Sequence, residues 1–214
     1  MRTFVWFVCL YFSANPLMAA ELKVSVHSAD EQAVVNAVIY LLPKQPLAQL
    51  NTTEIAIMDQ IDRQFSPHIL VVQKGSQIRF PNSDSIKHHV YSFSSAKTFE
   101  LQLYRGLDAD PLLFDKEGVI ELGCNIHDWM LGFVLVVDTP YFAKTNAAGA
   151  ARLNVAKGEY VVKIWHPRIV HSNASLEQSV VISDDQIVSF KLDKPLRPDV
   201  NQYESVPADI NDYD

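Results

Sequence analysis

Apolar residues along this chain fall in short runs rather than at helical spacing. Leu22 to Val26 alternates apolar with polar, and β-branched or aromatic runs follow at Val34 to Leu42, Ile69 to Val72, Gln77 to Phe80, Val90 to Phe93, Val119 to Leu122 and Leu131 to Val137. Alternation with period two, or an unbroken run of β-branched residues, is the mark of a strand half or fully buried. Turn-forming clusters separate the runs: Lys74-Gly75-Ser76, Pro81-Asn82-Ser83-Asp84 and Lys116-Glu117-Gly118. Many short strands at such spacing predict an all-β chain built as a sandwich. Only Leu47 to Ile61 has mild helical character, which Pro43, Pro46 and two threonines weaken.

The N-terminus has a different texture. Arg2 precedes the apolar run Phe4 to Phe12, and Ala19 and Ala20 close the segment. This predicts a secretory signal peptide over residues 1–20, its apolar run too short to span a membrane. Cys9 lies inside the run, not at its end, and is not read as a lipid-attachment site. No later run is long enough to cross a bilayer, so no membrane insertion is expected.

Without that segment the chain retains one cysteine, Cys124, in an expected compartment where disulfides form and persist. A lone thiol there is a metal ligand, an intermolecular partner or a buried inert group. Charge narrows the partners further. With 25 acidic against 18 basic residues and a net charge of −7, nucleic acid and anionic lipid are poor partners, whereas a basic protein is attracted.

The densest chemistry lies in Cys124-Asn125-Ile126-His127-Asp128-Trp129-Met130. Thiolate, imidazole and thioether stand three residues apart, and one distant histidine completes the donor set of a blue-copper centre, with His₂Cys in a plane and Met as weak axial ligand. His88 and His89 both qualify as that histidine. Neighbours on a strand point to opposite faces, so one of the two reaches a metal on the inner side, and spacing alone does not choose. His27, His68, His166 and His171 have no partner at metal spacing, although His166 and His171 share a loop.

The pattern Phe80-Pro81-Asn82-Ser83-Asp84, then His88-His89-Val90, then Cys124-x-x-His127-x-x-Met130 resembles the cupredoxin (blue copper) family over roughly residues 22 to 138. Its ligand loop is most similar to the amicyanin type, and the chain looks like the plastocyanin-like periplasmic proteins often labelled methylamine utilization proteins. The family pattern runs from an Asn across six residues to the first ligand, and Asn82 plus six is His88. The resemblance therefore implies a Greek-key β-sandwich over residues 21–138, holding one type 1 copper ion through His88, Cys124, His127 and Met130. Two positions depart from it: His89 stands where the family carries Asn, and Asp128 where the amicyanin-like loop carries Pro. It further implies that the chain carries single electrons, with Trp129 in an apolar collar round His127 and a redox protein such as a cytochrome or dehydrogenase as partner.

Beyond Asp138-Thr139-Pro140, the run Thr145-Asn146-Ala147-Ala148-Gly149, Leu153, Gly158-Glu159-Tyr160 and Val161 to Trp165 resembles the carboxypeptidase regulatory-like, transthyretin-like β-sandwich. Gln178 to Leu192 would supply its last two strands. Residues 139–192 make a small core alone, and Val24 to Tyr40 suits either sandwich. Residues 193–214 read as a flexible acidic tail.

The chain lacks the His-x-His pairs of multicopper oxygen enzymes and the motifs Gly-x-Ser-x-Gly and His-Glu-x-x-His, and holds only seven glycines, so no enzyme is expected. The competing expectation is a periplasmic copper carrier or chaperone. Such proteins use open clusters of Met and His, whereas Met58 and Met130 are the only methionines after the leader.

Overall fold

The computed structural model describes residues 19–45, 55–106, 110–170 and 176–199. The expected leader up to residue 18, residues 46–54, His171 and residues 200–214 lie outside the described residues. The described residues form strands and turns, with no helix among them. The chain is all-β, as its periodicity predicts.

The strands run β1 (Ala19–His27), β2 (Val38–Pro43), β3 (Ile55–Ile57), β4 (Asp59–Ile61), β5 (Gln64–Ser66) and β6 (Ile69–Gln73). Next come β7 (Ser76–Arg79), β8 (His88–Ser94), β9 (Lys97–Tyr104), β10 (Leu112–Phe114), β11 (Gly118–Gly123) and β12 (Leu131–Val137). The last are β13 (Phe142–Lys144), β14 (Ala150–Ala156), β15 (Gly158–Trp165), β16 (Glu177–Ile182) and β17 (Gln186–Lys191).

A five-stranded sheet in the order β6-β12-β11-β8-β9 and a three-stranded sheet β10-β7-β3 enclose one core, containing Met58, Phe80, Val90, Phe114, Ile120, Leu122, Cys124 and Met130. The sheets β14-β1-β17 and β13-β2-β15-β16 enclose a second core round Leu22, Val24, Ile39, Leu41, Tyr160 and Val162. In β1 the alternating positions Ala20, Leu22, Val24 and Val26 are all buried, which is the one-sided burial that its sequence predicts.

A third apolar cluster joins the two sandwiches. Val38, Tyr40, Phe142 and Trp165 from the outer face of one sheet pack on Ile69, Phe133, Leu135 and Val137 of β6 and β12. This explains why Leu131 to Val137 is apolar without alternation: Val134 and Val136 face the first core, whereas Phe133, Leu135 and Val137 face the junction. Lys144 Nζ also crosses the junction, donating to the Ile69 carbonyl at 2.8 Å.

Strand pairing redraws the expected boundaries. Residues 21–45 lie within the expected bounds of the first sandwich, although Val24 to Tyr40 suits either, and their strands pair in the second: β1 lies between β14 and β17, and β2 between β13 and β15. The reason is the small core of residues 139–192, which these two strands complete. Ala19 and Ala20, expected to end a leader, open β1 opposite Ala156 and Val155. In the Leu47 to Ile61 stretch, the described residues hold β3 and β4, not helix. There Met58 and Gln60 are fully buried and bonded to the strand and loop beside them, Met58 N–H to the Arg79 carbonyl and Gln60 N–H to that of Pro81. β2 begins at Val38, because Asn36 takes a positive φ of 60° and Thr145 Oγ1 accepts the Ala37 N–H. Part of the expected tail is tied down as well. Arg197 N–H donates to the Arg168 carbonyl, Arg168 Nε donates to that of Arg197 at 2.6 Å, and Arg168 pairs with Asp199 at 3.3 Å.

Candidate metal centre

The site lies where β8 begins and where the loop after β11 returns into β12. Asn82 shapes the approach to β8. Its side chain donates to the carbonyls of Ile86 at 3.0 Å and Tyr104 at 2.8 Å and accepts the Asp84 N–H at 3.0 Å. The loop delivers His88 to the start of β8, fully buried. On the other side, Met130 N–H donates to the His127 carbonyl at 3.0 Å, closing a tight turn between β11 and β12.

His88, Cys124 and His127 each present one donor atom, and the three atoms lie within 4.8 Å of one another. His88 Nδ1 is 4.0 Å from Cys124 Sγ, and the two imidazole rings stand 5.0 Å apart at 55°. Thiolate and imidazole bonds to a first-row ion are about 2.0–2.3 Å long, so donors in a trigonal plane round one ion lie about 3.5–4 Å apart. The 4.0 Å between His88 Nδ1 and Cys124 Sγ is close to that spacing, and the widest pair closes by about 1 Å to share one ion. All three residues are buried, as is Met130, which shares the first core with Cys124.

Electrostatics favour a metal ligand over an inert thiol. Burial pushes the Cys124 thiol up, but His88 and the backbone N–H groups of His89, Ile126 and His127 outweigh it and hold the thiol below its ordinary range. Convergent donors stabilise the thiolate, the form that binds metal. In the expected Asn position, His89 contributes through its backbone, whose N–H any residue supplies. Its side chain turns away, with Nε2 2.9 Å from Glu100 Oε1 and its ring 5.7 Å from that of Tyr91. Of the two adjacent histidines, His88 is the one facing Cys124.

Sequence reasoning assigned no role to Asp84. Its Oδ2 lies 2.6 Å from His88 Nε2, and its carboxylate accepts the N–H groups of Asp62 at 2.7 Å and Arg63 at 2.9 Å. Burial raises the Asp84 carboxyl, yet these N–H groups and His88 carry it below its ordinary value. Burial likewise disfavours a charged His88, and Cys124 and Asp84 together raise it. A carboxylate on the far nitrogen fixes ring orientation and leaves Nδ1 aimed at the thiol. The available signal was the spacing of four between Asp84 and His88.

Around the site, Trp129 is 44% exposed with its ring 5.1 Å from that of His127, and Ile126 is 48% exposed. Asp128 is exposed beside them. Tyr91 lies against Gly123, where an added Cβ would come within 2.6 Å of the tyrosine ring. His27, His68 and His166 stand apart from this cluster: His68 packs edge-on to Phe133 at 5.4 Å, and His166 Nδ1 accepts the Arg168 N–H at 3.2 Å.

The donor set suits copper. Sulfur favours Cu(I) and imidazole also accepts Cu(II), so a thiolate, two imidazoles and a nearby thioether fit an ion that changes oxidation state by one.

No family model matches this chain, and no curated protein does. Among solved structures it is similar to a purple cupredoxin from Nitrosopumilus maritimus, at 24% identity and a TM-score of 0.35, over 38% of this chain and 99% of that one. A copper-containing nitrite reductase from Thermus scotoductus matches at 18% identity and a TM-score of 0.39, over 46% of this chain and 26% of that one. A mutant of amicyanin in its reduced Cu(I) form matches at 18% identity and a TM-score of 0.36, over 46% of this chain and 98% of that one. At TM-scores of 0.35 to 0.39 none of these likenesses carries the argument; the side chains do.

Proposed function

We propose that this chain is a periplasmic type 1 copper protein that carries single electrons between redox proteins, with His88, Cys124, His127 and Met130 holding one copper ion. The observation that carries the reading is the convergence of two buried imidazoles on a buried cysteine whose surroundings favour the thiolate. When bound, copper supplies a one-electron couple. The chain's own residues do the rest: Asp84 orients His88, backbone N–H groups hold the sulfur, and burial excludes water, so that little rearranges between oxidation states.

A cytochrome or dehydrogenase suits this role as partner, and the leader at residues 1–20 suits export. A closed site favours a carrier of electrons over one of copper, because release would require opening a packed core. Function as an electron carrier, without an enzymatic reaction of its own, completes the reading.

The test is the visible spectrum of the chain with one equivalent of Cu(II), beside that of Cys124→Ser. An intense thiolate-to-copper band, absent from the variant, supports the reading. Tight Cu(I) binding without such a band would instead make the chain a copper carrier, and no copper binding would refute both.

A further inference from the structure

The second sandwich covers only half of one face of the five-stranded sheet. Its residues Val38, Tyr40, Phe142 and Trp165 close over β6 and β12. Over β11 and β8 the same face is left uncovered by the described residues. In register across the sheet, Leu131 pairs with Gly123 and Gly123 with Tyr91, so Glu121 and Phe93 continue the exposed face. Phe93 is 81% exposed and Val119 38%.

The open half-sheet and the edge of the second sandwich therefore meet as floor and wall of a corner. A cleft of about 770 Å³ occupies the corner, with Val119, Glu121 and Phe133 below and Trp165, Pro167 and Arg168 beside it. A second groove of about 650 Å³ runs over the same floor to the metal centre, lined by Tyr91, Phe93, Trp129 and Cys124. Glu121 and Leu131 line both, so the two are one continuous surface. The floor is apolar at Phe93, Val119 and Trp129 and acidic at Glu100, Glu121 and Asp128, all exposed. Of the basic residues near it, Lys97 lies over the Phe114 ring, Lys116 donates to the Ser95 carbonyl, and on the wall, which Arg197 also lines, Arg168 pairs with Asp199.

We infer that this corner is a docking surface for a redox protein whose apolar patch is rimmed by lysine or arginine, and that the second sandwich is its wall. The inference rests on the electron-carrier reading for why such a partner comes. It differs in place from a dock on the end of the sandwich, where Ile126 and Trp129 surround His127. An acidic floor with an apolar centre attracts a basic partner and releases it quickly, and the Tyr91 ring against Gly123 brings the partner's contact surface to the residue next to the thiolate.

The test uses a basic cytochrome c as the probe, titrated into the ¹⁵N-labelled metal-free chain at low salt. Shift changes are expected at Phe93, Val119 and Glu121 on the floor together with Trp165 and Arg168 on the wall. The exposed double variant Phe93→Ser/Glu121→Lys is expected to weaken binding at least tenfold, with its remaining spectrum unchanged. Changes confined to Ile126 and His127, or absence of binding, would overturn the inference. Because the titration is free of metal, failure of the copper reading shows separately, as a missing visible band in a chain that still binds the probe.

Discussion

Asp84 Oδ2 stands 2.6 Å from Nε2 of His88, the ring nitrogen turned away from Cys124. The carboxylate is itself held by the backbone N–H groups of Asp62 and Arg63, so the orientation of a candidate ligand is traced through Asp84 to a turn between β4 and β5. Replacing such a partner typically costs 10- to 100-fold in metal affinity. Asp84→Asn is therefore expected to weaken Cu(II) binding by about that factor in a competition titration against a colorimetric chelator. An unchanged affinity would show that His88 is positioned by packing alone.

Metal binding by the folded chain alone must also raise its stability. With free metal at about 100 times the dissociation constant the gain is about 2.7 kcal/mol. Thermal unfolding of the wild-type chain is expected to shift upward with copper, and the shift is expected to shrink sharply in Cys124→Ser. Equal shifts in the two would place the copper elsewhere.

Gly123 tests the packing beside the thiolate. A methyl group there meets the Tyr91 ring at 2.6 Å, and overpacking of this kind costs about 1–3 kcal/mol. Gly123→Ala is expected to lose about that much in urea unfolding, and the double variant Gly123→Ala/Tyr91→Ser to lose less than the sum of the two single variants. Additive losses would mean that the ring moves aside freely.

Acid stability should depend on His166, which burial and then Arg168 and His68 push down to about 4. Below the ordinary imidazole value the unfolded chain binds a proton that the folded one refuses. Stability is thus fully present above about pH 6.5, falls as the pH drops towards 4, and changes no further from this group below that. The loss over this window is about 3 kcal/mol. His166→Gln is expected to flatten the window by about that amount, measured as the difference in urea midpoints between variant and wild type at pH 7 and pH 4.5. Parallel profiles would show that His166 is freely hydrated.

Phe133 couples the two sandwiches, lying in the junction cluster with Val38 on one side and Ile69 on the other. Phe133→Ala is expected to cost about 3–5 kcal/mol and to split a single unfolding transition into two. A single transition in the variant would mean that Lys144 and the remaining apolar contacts suffice to couple them.

Residues three apart on one short loop are neighbours whatever the rest of the chain does, so Cys124, His127 and Met130 were legible as a set without a fold. Alternation at Leu22 to Val26 and the unbroken run at Leu131 to Val137 likewise announced strands, because side-chain period is a local property. β9 carries the same local signal, with Thr98, Glu100 and Gln102 alternating with Phe99, Leu101 and Leu103, although it is missing from the strands predicted above. Strand partners are not local, and the alternation in β1 and β2 says which face is buried but not against what. Only pairing with β14, β15 and β17 moved them into the second sandwich.

The sequence by itself determined an all-β chain and a thiolate–imidazole–thioether loop, since both depend on spacing along the backbone. The tertiary structure decided that His88 and not His89 faces Cys124, that Asp84 holds it there, and that one face of the five-stranded sheet is half covered. Each of these depends on which surfaces meet across long stretches of chain, and the packing of two sheets against each other settles that.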